Sequence, residues 1–296
     1  MKVSCSPGPG AAQARCSTDQ RGACDSSRTA TGTRRRALHR ADTPSVTAER
    51  VQHTGARSLR RRRWRRLAAV VLLAVVAILG TLLAQPWWLP SLLARVYPDI
   101  LWRIETPAPL VALTFDDGPA PDHTPTVLSI LARHRARATF FLVGDRASRS
   151  PDLVRALREG GHEVANHYYS ARSNLRSSDA EFETNLLRTE SILGMAGPAK
   201  LYRPPGGLIR RSQFALLTKH GYRCVLGSAY PYDGNHTPSW YIRWLVAKNL
   251  APGAIVILHD GIADPSRTLA ALDDILVAGE RKGLRFVPVS ELLNGS

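Results

Sequence analysis

Leu110-Val111-Ala112-Leu113-Thr114-Phe115-Asp116-Asp117-Gly118-Pro119 decides the fold of this chain. An apolar run with strand-forming residues stops at two carboxylates and a Gly-Pro turn, so a short buried strand delivers Asp116 and Asp117 to a loop. Downstream, Thr124-Pro125 opens a helix to about His134, with Pro at the first helical turn. A second strand is expected over 138–143. Ser150-Pro151 starts a helix that Gly160-Gly161 closes, and a third strand follows over 162–166. Ser178-Asp179-Ala180-Glu181 reads as a capping box for a helix to about Met195. Further strands are expected over 201–203, 223–226, 254–258 and 285–288, with helices near 212–220, 238–249 and 265–281. Strands alternating with helices at this spacing give a parallel sheet, open or closed into a barrel. In such folds the C-terminal strand ends face the ligand, and Asp116, Asp117, His167, Arg203, Asp233, His259 and Asp260 all fall there or in the loops that follow.

Upstream of that domain the charge is lopsided. The 296-residue chain has a net charge of +16, which on a folded surface would suggest a nucleic-acid partner. Residues 1–66, however, hold 16 Lys+Arg against four Asp+Glu, a net of +12, and the remaining residues carry only +4. The first 66 residues are poor in large apolar side chains and are expected to be a disordered, basic, cytoplasmic tail with no specific nucleic-acid ligand. After Arg60-Arg61-Arg62-Arg63-Trp64-Arg65-Arg66 comes an uncharged apolar run over residues 67–84, with Trp87 and Trp88 beyond it. At about 1.5 Å per residue that run covers most of a hydrocarbon core of about 30 Å. Residues 67–89 are expected to be a single-pass anchor in the cell membrane, its arginines in the cytoplasm and the chain after Trp88 outside. The poor small-x-small site at Leu82-Leu83-Ala84 favours an uncleaved anchor over a signal peptide. Residues 90–109 read as a linker and 110–296 as the external domain. With Cys5, Cys16 and Cys24 inside and only Cys224 outside, the domain has no intramolecular disulfide.

Asp-Asp-Gly alone is a common turn, and a single His after a strand is weak evidence. Together with Arg203-Pro204-Pro205-Gly206-Gly207 and Leu258-His259-Asp260 they form a constellation. The residues resemble the polysaccharide deacetylases of the NodB-homology type, carbohydrate esterase family 4. Leu113-Thr114-Phe115-Asp116-Asp117-Gly118-Pro119 is similar to the first motif, Gly161-His162-Glu163-Val164-Ala165-Asn166-His167 to the approach to the second, Arg203-Pro204-Pro205-Gly206-Gly207 to the third, and Leu258-His259-Asp260 to the last. The resemblance covers about residues 110–296 and implies an α/β fold, a distorted (β/α) barrel. It implies metal-dependent hydrolysis of N-acetyl, sometimes O-acetyl, groups on a glycan such as peptidoglycan or a chitooligosaccharide. Carried over by position, Asp117 and His167 bind the metal, usually Zn²⁺, and Asp116 is the general base. His259 protonates the departing amine, Arg203 orients Asp116, Asp233 tunes His259, and the Gly206 backbone N–H holds the oxyanion. Tyr168, in place of the Ser or Thr that normally follows the first His, is a candidate substrate contact. Tyr169, Tyr230, Tyr232 and Trp240 are further aromatics able to stack on sugar rings.

The chain departs from the family pattern in its second and fourth motifs. The second metal-binding His, expected four residues after His167, is Ala171, and the Trp of the fourth motif is missing beside Asp233. Catalytic zinc usually has three protein ligands. Asn174, Asp179 and His162 are the candidates for the third position, His162 ranking last because it precedes its strand. Water, a different metal and loss of activity remain alternatives. A catalytically impaired glycan-binding protein on the same fold is therefore the second hypothesis, and a deacetylase of O-acetyl or other small amide or ester groups is the third.

Overall fold

The computed structural model describes residues 49–195, 197 and 200–295, so the expected disorder of residues 1–48 lies outside the described residues. The described residues divide between Trp64 and Arg65, the larger unit running from Arg65 onward. Helix α1 is Glu49–Ala84, so residues 49–66, expected to be disordered, are helical. Arginine is a good helix former and the apolar run continues the same helix. Within α1, Leu59–Ala84 is long and apolar enough to cross a membrane, and its most apolar 18-residue window has a mean hydropathy of 2.9 with 0 % of it buried.

The rest of the second unit alternates as the sequence predicts. In order come α2 (Trp88–Val96), β1 (Ile100–Leu101), β2 (Leu110–Asp116), α3 (Thr124–Arg133), β3 (Thr139–Leu142), α4 (Gly144–Arg149), α5 (Pro151–Glu159), β4 (Glu163–Asn166) and α6 (Asp179–Leu193). They are followed by β5 (Lys200–Tyr202), α7 (Arg211–Lys219), β6 (Tyr222–Val225), α8 (Ser239–Asn249), β7 (Ile255–His259), α9 (Ser266–Arg281), β8 (Arg285–Val287) and α10 (Val289–Asn294). The Ser178 hydroxyl accepts from the Glu181 N–H at 3.2 Å, the half of the capping box that starts α6. Residues 90–109, expected as a linker, hold most of α2 and the edge strand β1, which pairs with β6.

All strand pairs are parallel, in the order β1-β6-β5-β4-β3-β2-β7, with β8 also on β2. Ala112 pairs with both Ile255 of β7 and Val287 of β8, so those strands take opposite edges of β2. The sheet curls into an open, distorted (β/α) barrel, and a bridge between Ala229 and Val256 spans part of the gap between its ends. Side-chain alternation then sorts the core into two layers. Val111, Leu113 and Phe115 pack outward with Val256, Leu258 and residues of α3, α5, α8 and α9, whereas Leu110, Ala112, Phe141, Ala165, Leu201, Val225 and Ile255 fill the interior.

His162 belongs to the outer layer. Its ring lies edge-on to Phe140 at 5.4 Å, and its Nδ1 accepts from the Ala138 N–H at 3.2 Å, which requires a neutral imidazole. Burial, aided by the positive charge of Arg137, pushes its pKa down to about 4. The unfolded chain therefore takes up a proton before the native state does. The stability that neutral His162 contributes is full above about pH 6.5 and is lost as pH falls toward 4, by about 3 kcal/mol in all. Urea unfolding of His162→Gln between pH 7 and 4 is expected to show a flatter decline than wild type; parallel curves would refute this account.

Candidate active site

The alternation that sorts the core also builds the site. Interior positions run Ala112, Thr114, Asp116 along β2; Ala165 then His167 past β4; Leu201 then Arg203 past β5; Ile255, Ile257, His259 along β7. At each strand the apolar series ends in a polar residue at the C-terminal rim. Asp116, His167, Arg203 and His259 thus line one cavity of about 360 Å³ together with Asp117, Ala171, Gly206 and Tyr230.

Arg203 lies at the bottom of the cavity wall, 2 % exposed. Its Nη1 donates to the Asp116 carboxylate and to Thr114 Oγ1, each at 2.6 Å, while Nε and Nη2 donate to the Val225 and Leu226 carbonyls at 3.1 Å. The guanidinium also stacks 4.0 Å above the Phe141 ring, so its orientation is set from every side. Asp116, itself buried, is held in place as the partner of a fixed cation.

On the β7 side His259 Nδ1 lies 2.8 Å from the Asp233 carboxylate, whose other oxygen accepts from the His259 N–H at 2.8 Å and from Thr268 Oγ1 at 2.9 Å. Asp233 is therefore on His259 despite the missing Trp of its motif. Burial on its own disfavours an imidazolium, but the Asp233 hydrogen bond and charge, with Asp116 and Asp117 behind them, outweigh it and push His259 up to about 9. With Nδ1 engaged, Nε2 is the free nitrogen.

Asp117 Oδ1 lies 3.5 Å from His167 Nε2. His167 Nδ1 donates to the Arg203 carbonyl at 2.8 Å, which orients the ring with Nε2 toward Asp117. Asp117 turns out of the strand at φ 68°, and the Arg146 guanidinium bonds its carbonyl. A carboxylate oxygen and an imidazole nitrogen facing one another fit two positions of a divalent cation. Among the described residues no group of three His, Cys, Asp or Glu side chains gathers. Ala171 lines the cavity with a methyl group. None of the three candidates for the third position lines the cavity. Asp179 binds Arg210 and Ser212 at 2.9 Å and His162 is in the outer layer, while Asn174 donates its side-chain amide to Gln213 Oε1 at 2.8 Å and keeps a buried Oδ1 without a hydrogen-bond partner.

Tyr168 is a correction to the sequence expectation. It is 2 % exposed, stacks on Phe182 at 5.6 Å and shares its hydroxyl with Ser177 and Asn185, so it is a core residue and not a substrate contact. Tyr169 lies under the Arg188 guanidinium, and Trp240 is exposed on α8. Tyr230 does line the cavity, where burial and the charges of Asp233 and Asp116 push its phenol up to about 12, keeping it a donor. Asp260 sits outside the cavity, accepting from Thr124 Oγ1 at 2.5 Å; full burial pushes its carboxyl up to about 7. The wall residue that sequence reasoning missed is Trp102, whose indole Nε1 is buried without a hydrogen-bond partner. Its signal was the apolar Ile100-Leu101-Trp102 triplet inside the supposed linker.

The family model described as "Polysaccharide deacetylase" matches residues 103–225. The chain is 40 % identical over 197 residues to a peptidoglycan-N-acetylglucosamine deacetylase of Bacillus cereus, covering 66 % of this chain and 92 % of that protein. It is 34 % identical to a chitooligosaccharide deacetylase of Bradyrhizobium sp. (strain ANU 289), covering 62 % and 90 %. Among solved structures it is similar to the Bc1960 peptidoglycan N-acetylglucosamine deacetylase (TM-score 0.64, 30 % identity, 69 % and 97 % covered). It is also similar to an acetyl xylan esterase of family 4 from Clostridium thermocellum in complex with a cobalt ion (TM-score 0.58, 29 % identity, 62 % and 90 % covered).

Removing one member of a buried ion pair strands the other. Arg203→Met is expected to destabilise the domain by about 3–5 kcal/mol in urea unfolding at pH 7, and pairing it with Asp116→Leu should recover much of the loss. Equal instability of the single and double variants would show that the pair is not what Arg203 supports.

Proposed function

The chain belongs to the polysaccharide deacetylase family, hydrolases of carbon–nitrogen bonds other than peptide bonds, and from that premise we propose that it removes N-acetyl groups from a GlcNAc-containing cell-wall glycan. The observation that carries this reading is the pair of dyads on one cavity, Arg203–Asp116 at 2.6 Å and Asp233–His259 at 2.8 Å. One keeps a carboxylate ready to accept a proton and the other keeps an imidazolium ready to give one.

Water adds to the acetamide carbonyl while Asp116 accepts its proton. Gly206, in the left-handed region at φ 73° on the cavity wall, presents backbone toward the developing oxyanion. His259 then protonates the nitrogen as the C–N bond breaks, giving acetate and an amine, and Asp233 stabilises its positive charge up to that step. Asp117 and His167 hold a divalent ion, Zn²⁺ by the family resemblance; the cobalt ion in the acetyl xylan esterase complex supports a metal in this fold. Such an ion polarises an acyl oxygen and acidifies water. Trp102 and Tyr230 line the cavity and are available to pack against a sugar ring. We further infer that Leu59–Ala84 anchors the protein in the cell membrane with the catalytic domain outside, where cell-wall glycan lies. Ala171 favours one alternative, a glycan-binding protein that turns over slowly or not at all.

Three measurements test this reading. The full chain is expected to release acetate from peptidoglycan or N-acetylated chitooligosaccharide, with Asp116→Asn slower by at least about 10²-fold; unchanged rates would end the assignment. Because His259 acts in its protonated form, activity falls on the alkaline side, and Asp233→Asn, which removes the main cause of the raised pKa, should move that limb to lower pH. Ala171→His supplies a third donor and is expected to tighten metal binding at least about 10-fold in chelator competition, whereas an unchanged affinity would mean that position 171 does not face the metal.

A further inference from the structure

A membrane helix followed by a loose tether would leave its last carbonyls to water. Here they are taken by side chains of the domain. Tyr232 Oη donates to the Leu82 carbonyl at 3.1 Å, Tyr241 Oη to Leu83 at 2.6 Å and Lys248 Nζ to Ala84 at 2.5 Å. The next residue, Gln85, grips the backbone of Tyr230 from both sides: its Oε1 accepts from the Tyr230 N–H at 2.9 Å and its Nε2 donates to the Tyr230 carbonyl. Since Tyr230 lines the cavity, the end of the helix is joined to a wall of the active site without slack.

Two of those capping side chains lie on α8, whose inner face, Ile242, Leu245 and Val246, is buried in the core. Its outer side carries Trp240, 62 % exposed, and Trp244, 47 % exposed, one helical turn apart, with Lys248 one turn further on. Tyr241 packs against both rings at 5.9 and 5.6 Å, and the Lys248 ammonium lies 5.2 Å from the Trp244 ring. The chain leaving α1 adds Trp87, 75 % exposed, and Trp88, 45 % exposed. Four exposed indoles beside capped helix carbonyls, with a lysine among them, have the composition of the headgroup level of a bilayer, where an apolar ring and a polar N–H are both satisfied.

We propose that Trp240 and Trp244, together with Trp87 and Trp88, form an aromatic collar that seats the domain on the phospholipid headgroup region where α1 leaves the bilayer. The collar rests on the reading of Leu59–Ala84 as a membrane span. It holds the domain in one orientation on the outer surface, so that the cavity meets glycan at a fixed height above the lipid.

Spin labels in the full chain, reconstituted in phosphatidylcholine–phosphatidylglycerol vesicles, test both readings separately. Cys5, Cys16 and Cys24 are replaced by Ser; buried Cys224, its thiol pushed up to about 12 by burial, does not compete for label. Single labels enter through Leu72→Cys in the span, Trp240→Cys or Trp244→Cys in the collar, and Arg155→Cys on α5 as a water reference. Collisions with oxygen and with a water-soluble nickel complex are compared. Labels at 240 and 244 are expected to be several-fold less accessible to nickel than the label at 155 and shallower than that at 72. Nickel accessibility equal to that at 155, with the label at 72 still in lipid, overturns the collar and leaves the span standing; a label at 72 in water overturns both. Quenching of native tryptophans by lipids brominated near the headgroup keeps the rings in place. The quenched fraction falls in Trp240→Phe/Trp244→Phe if the two indoles lie in the interface, and it rises if they were in water.

Discussion

The site is built around the charge pair between Arg203 and Asp116, closed from water at the end of the barrel interior. A guanidinium buried among Phe141, Val225 and Leu226 would be intolerable alone, and an isolated carboxylate beside it equally so. Each makes the other possible. Their bonds also tie four strands at their C-terminal ends: β2 through Asp116 and Thr114, β5 through Arg203, β6 through Val225, and β4 because the Arg203 carbonyl receives the proton of His167 Nδ1. One residue therefore fixes the proposed base with its side chain and a metal-ligand candidate with its backbone.

The catalytic rim is a continuation of the core by other residue types. Along β2, β4, β5 and β7 the inward series ends in a charged or imidazole side chain, preceded on β2 by Thr114 and otherwise by apolar residues, and a period of two decides which residue of an adjacent pair enters the cavity. Asp116 follows Ala112 and Thr114 inward; Asp117 reaches the same space only because the backbone turns to φ 68° there. Two neighbouring carboxylates thus acquire different surroundings, one against a buried cation and the other, still partly exposed, against an imidazole. Separate environments are what allow like groups to take separate tasks.

Most of this was legible in the sequence because its signals are local. Proline opens α3 and α5, glycine closes α5, and apolar runs mark β2, β3 and β7, so the polar residues at their ends could be listed in order. The misses have a different origin. Whether Tyr168 points at ligand or at Phe182 is set by the unusual backbone at φ 66° after β4, which no periodicity announces. Ile100-Leu101-Trp102 looked like linker because a two-residue edge strand is too short to carry a pattern, and its place beside β6 is a long-range contact. The helicity of residues 49–66 was overlooked because arginine was read for its charge rather than for its helix propensity.

Ala171 leaves the proposed site one donor short without loosening the residues around it. A ligand that depends on the ion for its position is lost with it, but His167 is oriented by the Arg203 carbonyl, and Asp117 is held through its own carbonyl by Arg146. Both anchors are bonds to backbone and act whether or not an ion is present. On the proposed reading the missing third side chain would cost the free energy of one donor, while the arrangement of Asp116, His259, Asp117 and His167 stays set by protein contacts.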